Sequence, residues 1–503
     1  MFTLLPGDGD RGREELMQAN VKVEQGLLSG LEDGGVYRFL GVPYAAPPVG
    51  PLRWCPPAPA LTWDGVRKAE NFGLNAVQTV GAGFVMRQSD EGEDCLTLNI
   101  WTASLNVPVR RPVMVWIHGG GNLGGAGSED AFDGASLAAH GAVVVTFNYR
   151  LGALGFIAHP SLGANFGVLD YVAALQWVAD NIAGFGGDPG NVTIFGESAG
   201  AVAVRTLLQC PMARGLFHRA IIQSAGFEQF SFAPGWSYER AATAAEQLFD
   251  RLGTRDVDKL REVPIEQLKL ASHELSGVFP KPGHVHTPAN LVWMPAPDGE
   301  IVVEEGFPGW PEDVPVMFGT LENEARYFIK PGGTYPPELL RIMAEALCGP
   351  RSDDILALFA HTDLTPYECL DKLFSGVIWI EPALATAKRF ADMGRRFYTY
   401  HFARVSPGAR QSGDLVRHSA EIRYVFGNLT DDGAYDAVDR AVSDGMQHAW
   451  LEFARTGVPR SPDGTAWPAY STDNPQQAYI ADSFGSRPYE ITELTSIIHS
   501  LRR

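Results

Sequence analysis

The chain has 503 residues and a formal net charge of −19 at pH 7. This acidity argues against binding to nucleic acid, which needs basic patches, and against adsorption to anionic membranes. Hydrophobic residues make up 45% of the chain, and no apolar run is long enough to span a bilayer. The composition therefore predicts a globular protein with a large core and no membrane partner.

The first segment that suggests chemistry is Pro112-Val-Met-Val-Trp-Ile-His-Gly-Gly-Gly121, an apolar strand that runs into a glycine-rich turn. Glycines at such a turn let backbone N–H groups point at a ligand without obstruction. In a serine hydrolase this loop supplies donors of the oxyanion hole. The candidate donors here are the amides of Gly120 and Gly121.

The same loop allows a competing interpretation as a dinucleotide-binding turn. Gly119, Gly121 and Gly124 fit the pattern G-x-G-x-x-G after a strand. That pattern also requires an acidic residue at the end of the next strand, to bind the ribose. The next predicted strand, Ala142–Phe147, is followed by Asn148-Tyr-Arg150 and carries no carboxylate. We therefore expect no cofactor.

The most informative segment is Asn191-Val-Thr-Ile-Phe-Gly-Glu-Ser-Ala-Gly-Ala201. Its first half is β-branched and apolar, which favours a buried strand, and the alanines and leucines after Ser198 favour a helix. Gly196, Ser198 and Gly200 have the spacing of a nucleophile elbow, a sharp strand-to-helix turn that exposes a serine hydroxyl. Ser198 is the predicted nucleophile, and the amide of Ala199 is a third oxyanion-hole candidate.

The alternation of strand-like and helix-like segments in the first half predicts an α/β fold around a large, mostly parallel sheet. From about residue 234 to residue 299 this pattern gives way to helices and loops rich in proline and glycine. We interpret that region as a cap-like insertion in a single domain covering residues 1–503. Amphipathic helices are expected near Tyr238–Leu252 and Val438–Thr456.

Several segments together resemble the type B carboxylesterases, the cholinesterase/carboxylesterase branch of the α/β-hydrolases, of the bacterial para-nitrobenzyl-esterase-like kind. The resemblance covers nearly the whole chain. Besides the two glycine-rich segments, it rests on Arg38-Phe-Leu-Gly-Val-Pro-Tyr44, Glu93-Asp-Cys-Leu-Thr-Leu-Asn-Ile-Trp101, Asn148-Tyr-Arg-Leu-Gly152, Phe185-Gly-Gly-Asp-Pro189 and Tyr424-Val-Phe-Gly-Asn-Leu429.

The resemblance implies a catalytic acid and a catalytic base. The family's acid follows a Gly-Thr pair after a buried strand, which corresponds here to Glu324 in Val316-Met-Phe-Gly-Thr-Leu-Glu-Asn-Glu-Ala325. Glu322 is a nearby rival that is out of register. The segment Arg417-His-Ser-Ala-Glu-Ile-Arg-Tyr-Val-Phe-Gly427 implies His418 as the base. The family's glycine after the histidine is Ser419 here.

The resemblance also suggests residues around this triad. Glu197, Ser224 and Glu421 correspond to a polar network behind the catalytic groups, although a structural hydrogen-bonding role is equally open for Ser224. The family has an aromatic residue after the glycine loop, where this chain has Asn122 and then Leu123. These two residues border the expected substrate pocket. Phe227 and Phe230 are expected to wall its acyl side, or else to be core aromatics.

The implied reaction is hydrolysis of small to medium carboxylic esters through an acyl-enzyme. His418 accepts the Ser198 proton, Glu324 orients the imidazole, and the oxyanion binds to the amides of Gly120, Gly121 and Ala199. Activity should fall on the acid side as the histidine protonates, with a midpoint in the neutral range. An amidase, a specialised xenobiotic or natural-product esterase, and a catalytically silent cholinesterase-like binding domain remain alternatives.

The five cysteines are odd in number and irregular in spacing, so we expect mostly free thiols. In secreted relatives the residue corresponding to Cys95 is bridged, but Ala76 occupies the partner position here. The N-terminus does not resemble a signal peptide, which predicts a cytoplasmic enzyme. We expect a monomer or weak homo-oligomer. His284 and His286 lack the further ligands of a metal site, so no metal is expected.

Overall fold

The computed structural model describes residues 18–78, 90–228, 237–277, 291–303 and 314–502. The strands in these ranges are β1 (Gln18–Val23), β2 (Gly26–Asp33), β3 (Val36–Pro43), β4 (Val66–Lys68), β5 (Asn75–Ala76), β6 (Glu91–Gly92), β7 (Thr97–Thr102), β8 (Arg111–Ile117), β9 (Val143–Phe147), β10 (Gly187–Glu197), β11 (Arg219–Gln223), β12 (Val316–Leu321), β13 (Phe397–Phe402), β14 (Gln476–Ile480) and β15 (Phe484–Pro488).

The α-helices in the same ranges are α1 (Ala135–Ala139), α2 (Gly152–Phe156), α3 (Phe166–Asn181), α4 (Ala199–Gln209), α5 (Tyr238–Leu252), α6 (Val257–Glu262), α7 (Ile265–Glu274), α8 (Pro337–Cys348), α9 (Ser352–Ala360), α10 (Pro366–Ser375), α11 (Glu381–Asp392), α12 (Pro407–Ser412), α13 (Ile422–Phe426), α14 (Ala437–Thr456) and α15 (Glu493–His499).

Most strands form one sheet in the order β1-β2-β3-β7-β9-β8-β10-β11-β12-β13-β14-β15, with β4 paired to β2. All pairings from β9 to β14 are parallel. The pairings along the main strand order outside that stretch are antiparallel. The predicted large, mostly parallel central sheet is therefore confirmed. A separate small sheet pairs β5 with β6.

The central strands are buried on both faces, which explains their nearly continuous apolar sequences. Successive residues of β8 point to opposite faces: Val113 and Val115 belong to one core, and Met114 and Trp116 belong to another. Residues of α3 and α4 pack in the first core, and residues of α13 and α14 pack in the second. The sheet is thus the middle layer of a three-layer molecule.

Both helices predicted from amphipathic patterns are confirmed. Helix α5 has the predicted bounds, and α14 begins one residue before the predicted start. Ser237 accepts a hydrogen bond from the Arg240 amide at the start of α5, and Asp436 forms a capping box at the start of α14. Each helix ends at a glycine in the left-handed conformation.

Within the predicted cap region, the described residues form α5, α6 and α7. The function of this region as a cap, and the single-domain organisation of residues 1–503, stay predictions. No helix within the described ranges is both long and apolar enough to cross a membrane.

Candidate active site

Ser198 lies in the sharp turn between β10 and α4, at the carboxyl edge of the parallel sheet. Its backbone has φ 57° and ψ −123°, a strained conformation for a residue with a side chain. The Ser198 amide donates to the Gln223 carbonyl of the neighbouring strand at 3.0 Å, which anchors the turn. Ser198 is half-buried, whereas the residues on both sides of it are buried. The predicted strand, turn and helix are therefore all present.

The two glycines of the elbow are required by close approach of backbones. A Cβ on Gly196 would lie 2.6 Å from the carbonyl carbon of Gly200. A Cβ on Gly200 would overlap the carbonyl oxygen of Ile117, at the end of the adjacent strand β8. Both positions therefore exclude any side chain, as the sequence pattern indicates.

The glycine-rich loop after β8 lies directly beside the elbow. A Cβ on Gly119 would lie 3.1 Å from the Ser198 Cβ. Gly120 and Gly121 both have positive φ, at 101° and 65°, and the Gly120 carbonyl accepts hydrogen bonds from two amides later in the turn. Within the described part of the chain, the amides of Gly120, Gly121 and Ala199 have no hydrogen-bond acceptor. Three unpaired donors are thus present among the described residues, in the elbow and in the loop beside it.

His418 and Glu324 form a buried pair. The imidazole Nδ1–H donates to Glu324 Oε2 at 2.6 Å, and the Leu321 amide donates to Glu324 Oε1 at 2.9 Å. Glu324 is 0% exposed and His418 is 2% exposed. A neutral imidazole that donates through Nδ1 has Nε2 as its proton acceptor.

Glu322, the rival acid, is bound elsewhere. Its Oε2 lies 2.8 Å from His401 Nε2, at the end of β13. Burial raises the pKa of Glu322, but the hydrogen bond and charge of His401, with the charges of Arg487 and Lys372, outweigh it and lower the pKa. Glu322 and Glu324 therefore face different histidines.

The two departures from the family pattern around the acid are accommodated by the backbone. Leu321 contributes only its amide to Glu324, while its side chain is buried in the core. Ala325 lies in the 3₁₀ turn Glu324–Tyr327, where the backbone needs no glycine, and its amide donates to Ser375 Oγ at 3.0 Å. The loop that carries Glu324 is therefore held by backbone N–H groups at these two positions.

The carboxylate of Glu197 faces the other side of the imidazole. Glu197 Oε1 lies 3.0 Å from His418 Nε2, but outside the direction of a hydrogen bond, so Nε2 has no hydrogen-bond partner in the described residues. Burial lowers the pKa of His418, but the negative charges of Glu197 and Glu324 outweigh it and raise the pKa to about 10. An imidazolium is therefore strongly stabilised here.

The predicted polar network contains Glu421 and an unforeseen glutamine. Gln223 Nε2 donates to Glu421 Oε1 at 3.1 Å. Burial, followed by the charges of Glu197 and Glu324, raises the pKa of Glu421 to about 8. Ser224 is buried in a left-handed conformation, and its hydroxyl has no hydrogen-bond partner in the described residues. Its carbonyl accepts from Trp379 Nε1 at 2.8 Å.

Sequence reasoning missed two titratable groups near Ser198. Glu129 is 8% exposed, and burial, with the nearby Glu197 charge, raises its pKa to about 8 against the smaller effect of the Ala126 amide. His118 stacks on Tyr149 at 4.4 Å, and burial lowers its pKa to about 4, so it is neutral at pH 7. In the sequence, only their closeness to the glycine-rich segment could have indicated these two residues.

Three aromatic rings around His418 were also not predicted. The rings of Tyr327, Phe328 and Trp379 have their centroids 5.9, 5.5 and 5.3 Å from the imidazole centroid. Trp379 lies in a π-helical turn, Gly376–Ile380, a rare element that is frequent at functional sites. These rings surround the imidazole, which is 2% exposed.

The predicted pocket residues are largely covered. Asn122 is 1% exposed and its amide donates to the Trp293 carbonyl at 3.2 Å. Leu123 is buried in the large core, and the Phe227 ring packs against Phe318 with centroids 5.8 Å apart. Phe230 lies outside the described residues. A pocket-lining role for these four residues stays a prediction.

In the described ranges, no group of three or more His, Cys, Asp or Glu side chains is arranged to hold a metal ion. His284 and His286 lie outside those ranges. All five cysteines are described and are free thiols, as expected.

The sheet order, the elbow and the buried His–Glu pair define an α/β-hydrolase. The sequence model of the carboxylesterase family matches residues 17–336 and 359–490. The chain belongs to this family and is a carboxylesterase, so the binding-domain alternative is set aside.

Relatives and solved structures agree with this assignment. The chain is 34% identical to a fumonisin B1 esterase of Sphingopyxis macrogoltabida, covering 89% of this chain and 84% of that protein. It is 33% identical to a para-nitrobenzyl esterase of Bacillus subtilis (strain 168), with 92% and 94% covered. A carboxylesterase structure from Geobacillus stearothermophilus superposes with a TM-score of 0.81 at 32% identity, covering 95% of this chain and 99% of that one.

Proposed function

We propose that this carboxylesterase cleaves carboxylic esters through a Ser198–His418–Glu324 triad and an acyl-enzyme intermediate. The observation that carries the proposal is the 2.6 Å hydrogen bond from His418 Nδ1–H to the fully buried Glu324. It orients the imidazole so that Nε2 is the acceptor, on the side of the residue that precedes Ser198.

The reaction begins when the Ser198 hydroxyl attacks the ester carbonyl and its proton passes to His418 Nε2. The resulting imidazolium lies between the carboxylates of Glu324 and Glu197, whose charges stabilise it. It then gives the proton to the leaving alcohol, and water repeats the sequence on the acyl-enzyme. Glu324 keeps the imidazole in one tautomer throughout and takes up no proton itself.

The oxyanion of each tetrahedral intermediate binds to the amides of Gly120, Gly121 and Ala199. These groups are suited to the role because they have no acceptor in the described part of the chain. Ala199 directly follows Ser198, and Gly120 and Gly121 follow Gly119, which lies beside Ser198. Ala199 also begins α4, so its amide contributes the positive end of a helix dipole. Each such donor contributes about 3–4 kcal/mol to transition-state stabilisation.

We propose small to medium esters as substrates. Relatives are named for fumonisin B1 and for para-nitrobenzyl esters. The fumonisin B1 esterase leaves a specialised natural-product esterase with the same mechanism as an alternative for this chain. An amidase is the third possibility, since an acyl-enzyme forms equally from an amide.

The test is a series of 4-nitrophenyl esters, from acetate to laurate, with wild type and Ser198→Ala in parallel. Loss of the nucleophile should lower kcat/KM roughly 10⁴- to 10⁶-fold without unfolding the protein. Ser471→Ala, at an exposed serine, is the matched control and should keep wild-type activity.

A phosphonate ester provides the second measurement, since it should add one covalent label to wild type and none to Ser198→Ala by intact mass. Turnover by Ser198→Ala at the rate of wild type, or labelling at another residue, would disprove the proposed nucleophile. The acyl chain length of the best substrate then defines the size of the pocket.

A further inference from the structure

Ser419 occupies an unfavourable backbone conformation next to the proposed catalytic base. Its φ is 69°, in the left-handed region that disfavours residues with a Cβ. The family segment that it resembles has glycine at this position, which would adopt the same conformation without strain. A serine in this strained conformation suggests that its side chain has a role of its own.

The side chain of Ser419 reaches back to the other half of the site. Its hydroxyl donates to Glu197 Oε1 at 2.6 Å, joining residues 222 positions apart in sequence. The same Glu197 oxygen lies 3.0 Å from His418 Nε2. One oxygen is therefore shared between the Ser419 hydroxyl and the nitrogen that receives the Ser198 proton.

We propose that Ser419 is a positioning residue that acts through Glu197, holding its Oε1 so that His418 Nε2 stays available to Ser198. The inference rests on the proposed triad. Without the Ser419 hydroxyl, a buried carboxylate oxygen loses its donor, and the imidazolium Nε2–H becomes the group that can replace it. The proton that should pass to the leaving alcohol would then be retained between His418 and Glu197.

The surroundings of this pair strengthen the argument. Glu197 is 3% exposed, so little water can replace a lost hydrogen bond. Other charged or titratable groups acting on the pair or its neighbours are Glu324, Glu421, Glu129, Tyr327, Tyr400, Arg417 and Arg423. Of these groups, Glu324 favours protonation of His418, so the hydrogen bond from Ser419 to Glu197 opposes a tendency that is already present.

The experiment compares kcat/KM against pH for wild type, Ser419→Gly and Ser419→Ala, using 4-nitrophenyl acetate. Removing the hydroxyl should move the midpoint of the acid limb upward by roughly one pH unit, because the protonated base becomes more stable. Ser419→Gly also relieves the backbone strain, so loss of folding is not expected to obscure the result.

A double-mutant cycle separates this mechanism from a general effect on the site. In a Glu197→Gln background, Ser419→Gly should leave the acid limb where Glu197→Gln alone places it. An unmoved or downward-moved midpoint in Ser419→Gly overturns the inference, and so does an equal upward move in the Glu197→Gln background.

Ser198→Ala is assayed in the same series to keep the two proposals distinct. An inactive Ser198→Ala with an unmoved Ser419→Gly profile removes only the role of Ser419. An active Ser198→Ala removes the triad and, with it, this inference.

Discussion

Glu322 and Glu324 lie two residues apart and pair with different histidines. Glu324 is wholly buried against His418, whereas the Glu322 side chain is 45% exposed and binds His401. The short 3₁₀ turn after β12 separates them, since it directs Glu324 inward. Glu322 therefore serves as an internal comparison for Glu324, the acid of the proposed triad.

Glu324→Gln should lower kcat by roughly 10²- to 10⁴-fold, because an amide can neither fix the imidazole tautomer nor stabilise the imidazolium. Glu322→Gln removes an acceptor from His401 and should leave kcat within about twofold of wild type. Kinetics with 4-nitrophenyl acetate, together with melting temperatures of both variants, decide between the two acids. Equal losses in both variants would contradict the assignment of Glu324.

At the scale of elements, the site depends on two turns at the ends of neighbouring parallel strands. The loop after β8 and the elbow after β10 meet where a Gly119 Cβ would touch Ser198. The glycines of this loop differ in the space that they leave for a side chain. A Cβ on Gly120 would overlap the Gly124 carbonyl, whereas a Cβ on Gly121 would meet only Leu291, at 3.5 Å. Gly121 can therefore be substituted without a steric clash.

Gly121→Ala should keep the fold but lower kcat. The backbone at φ 65° becomes strained by about 1 kcal/mol, and its relaxation rotates the amides proposed to bind the oxyanion. We expect kcat to fall roughly 10- to 100-fold, with little change in KM, because the donors act in the transition state.

The matched control is Gly332→Ala, at φ 79° with nothing near the added Cβ. It should lose the same stability and keep its activity. If the two variants had the same kcat, the glycine loop would not contribute oxyanion donors. Urea unfolding alongside steady-state kinetics measures both quantities.

At the scale of the whole molecule, the local sequence was enough to predict the central sheet and the nucleophile elbow. Apolar strands, glycines without room for a Cβ and helix-capping residues act over a few positions, so their patterns are readable. The proposed triad required the resemblance, because His418 and Glu324 are 94 residues apart and nothing local marks either one. The cysteines were read correctly from their number and spacing.

Other features could not be predicted from the sequence, because they depend on burial and long-range packing. The contact between Ser419 and Glu197 and the aromatic rings around His418 arise only when distant segments meet. The raised His418 pKa follows from the same packing, which places two carboxylates beside the imidazole. The cytoplasmic location and the monomer or weak homo-oligomer stay predictions.

Buried carboxylates near the site also affect the stability of the whole protein. Burial raises the pKa of Glu129 from 4.5 to about 8, so the folded state favours its protonated form. This contribution to stability is fully present below pH 4.5 and is lost as the pH rises through about 8, since the unfolded state releases the proton earlier. The protein should therefore lose stability across this window.

Glu129→Gln tests this effect, because the neutral amide keeps the size of the side chain and can still accept from the Ala126 amide. The variant should match wild type near pH 4.5 and exceed it above pH 8 by on the order of 5 kcal/mol in free energy of unfolding. Glu300→Gln, at an exposed position, should show no such crossover. Melting temperatures across the window provide the measurement. If the melting temperatures of Glu129→Gln and wild type changed with pH in the same way, the Glu129 carboxyl would be ionised in the folded protein. A second negative charge would then lie near Glu197.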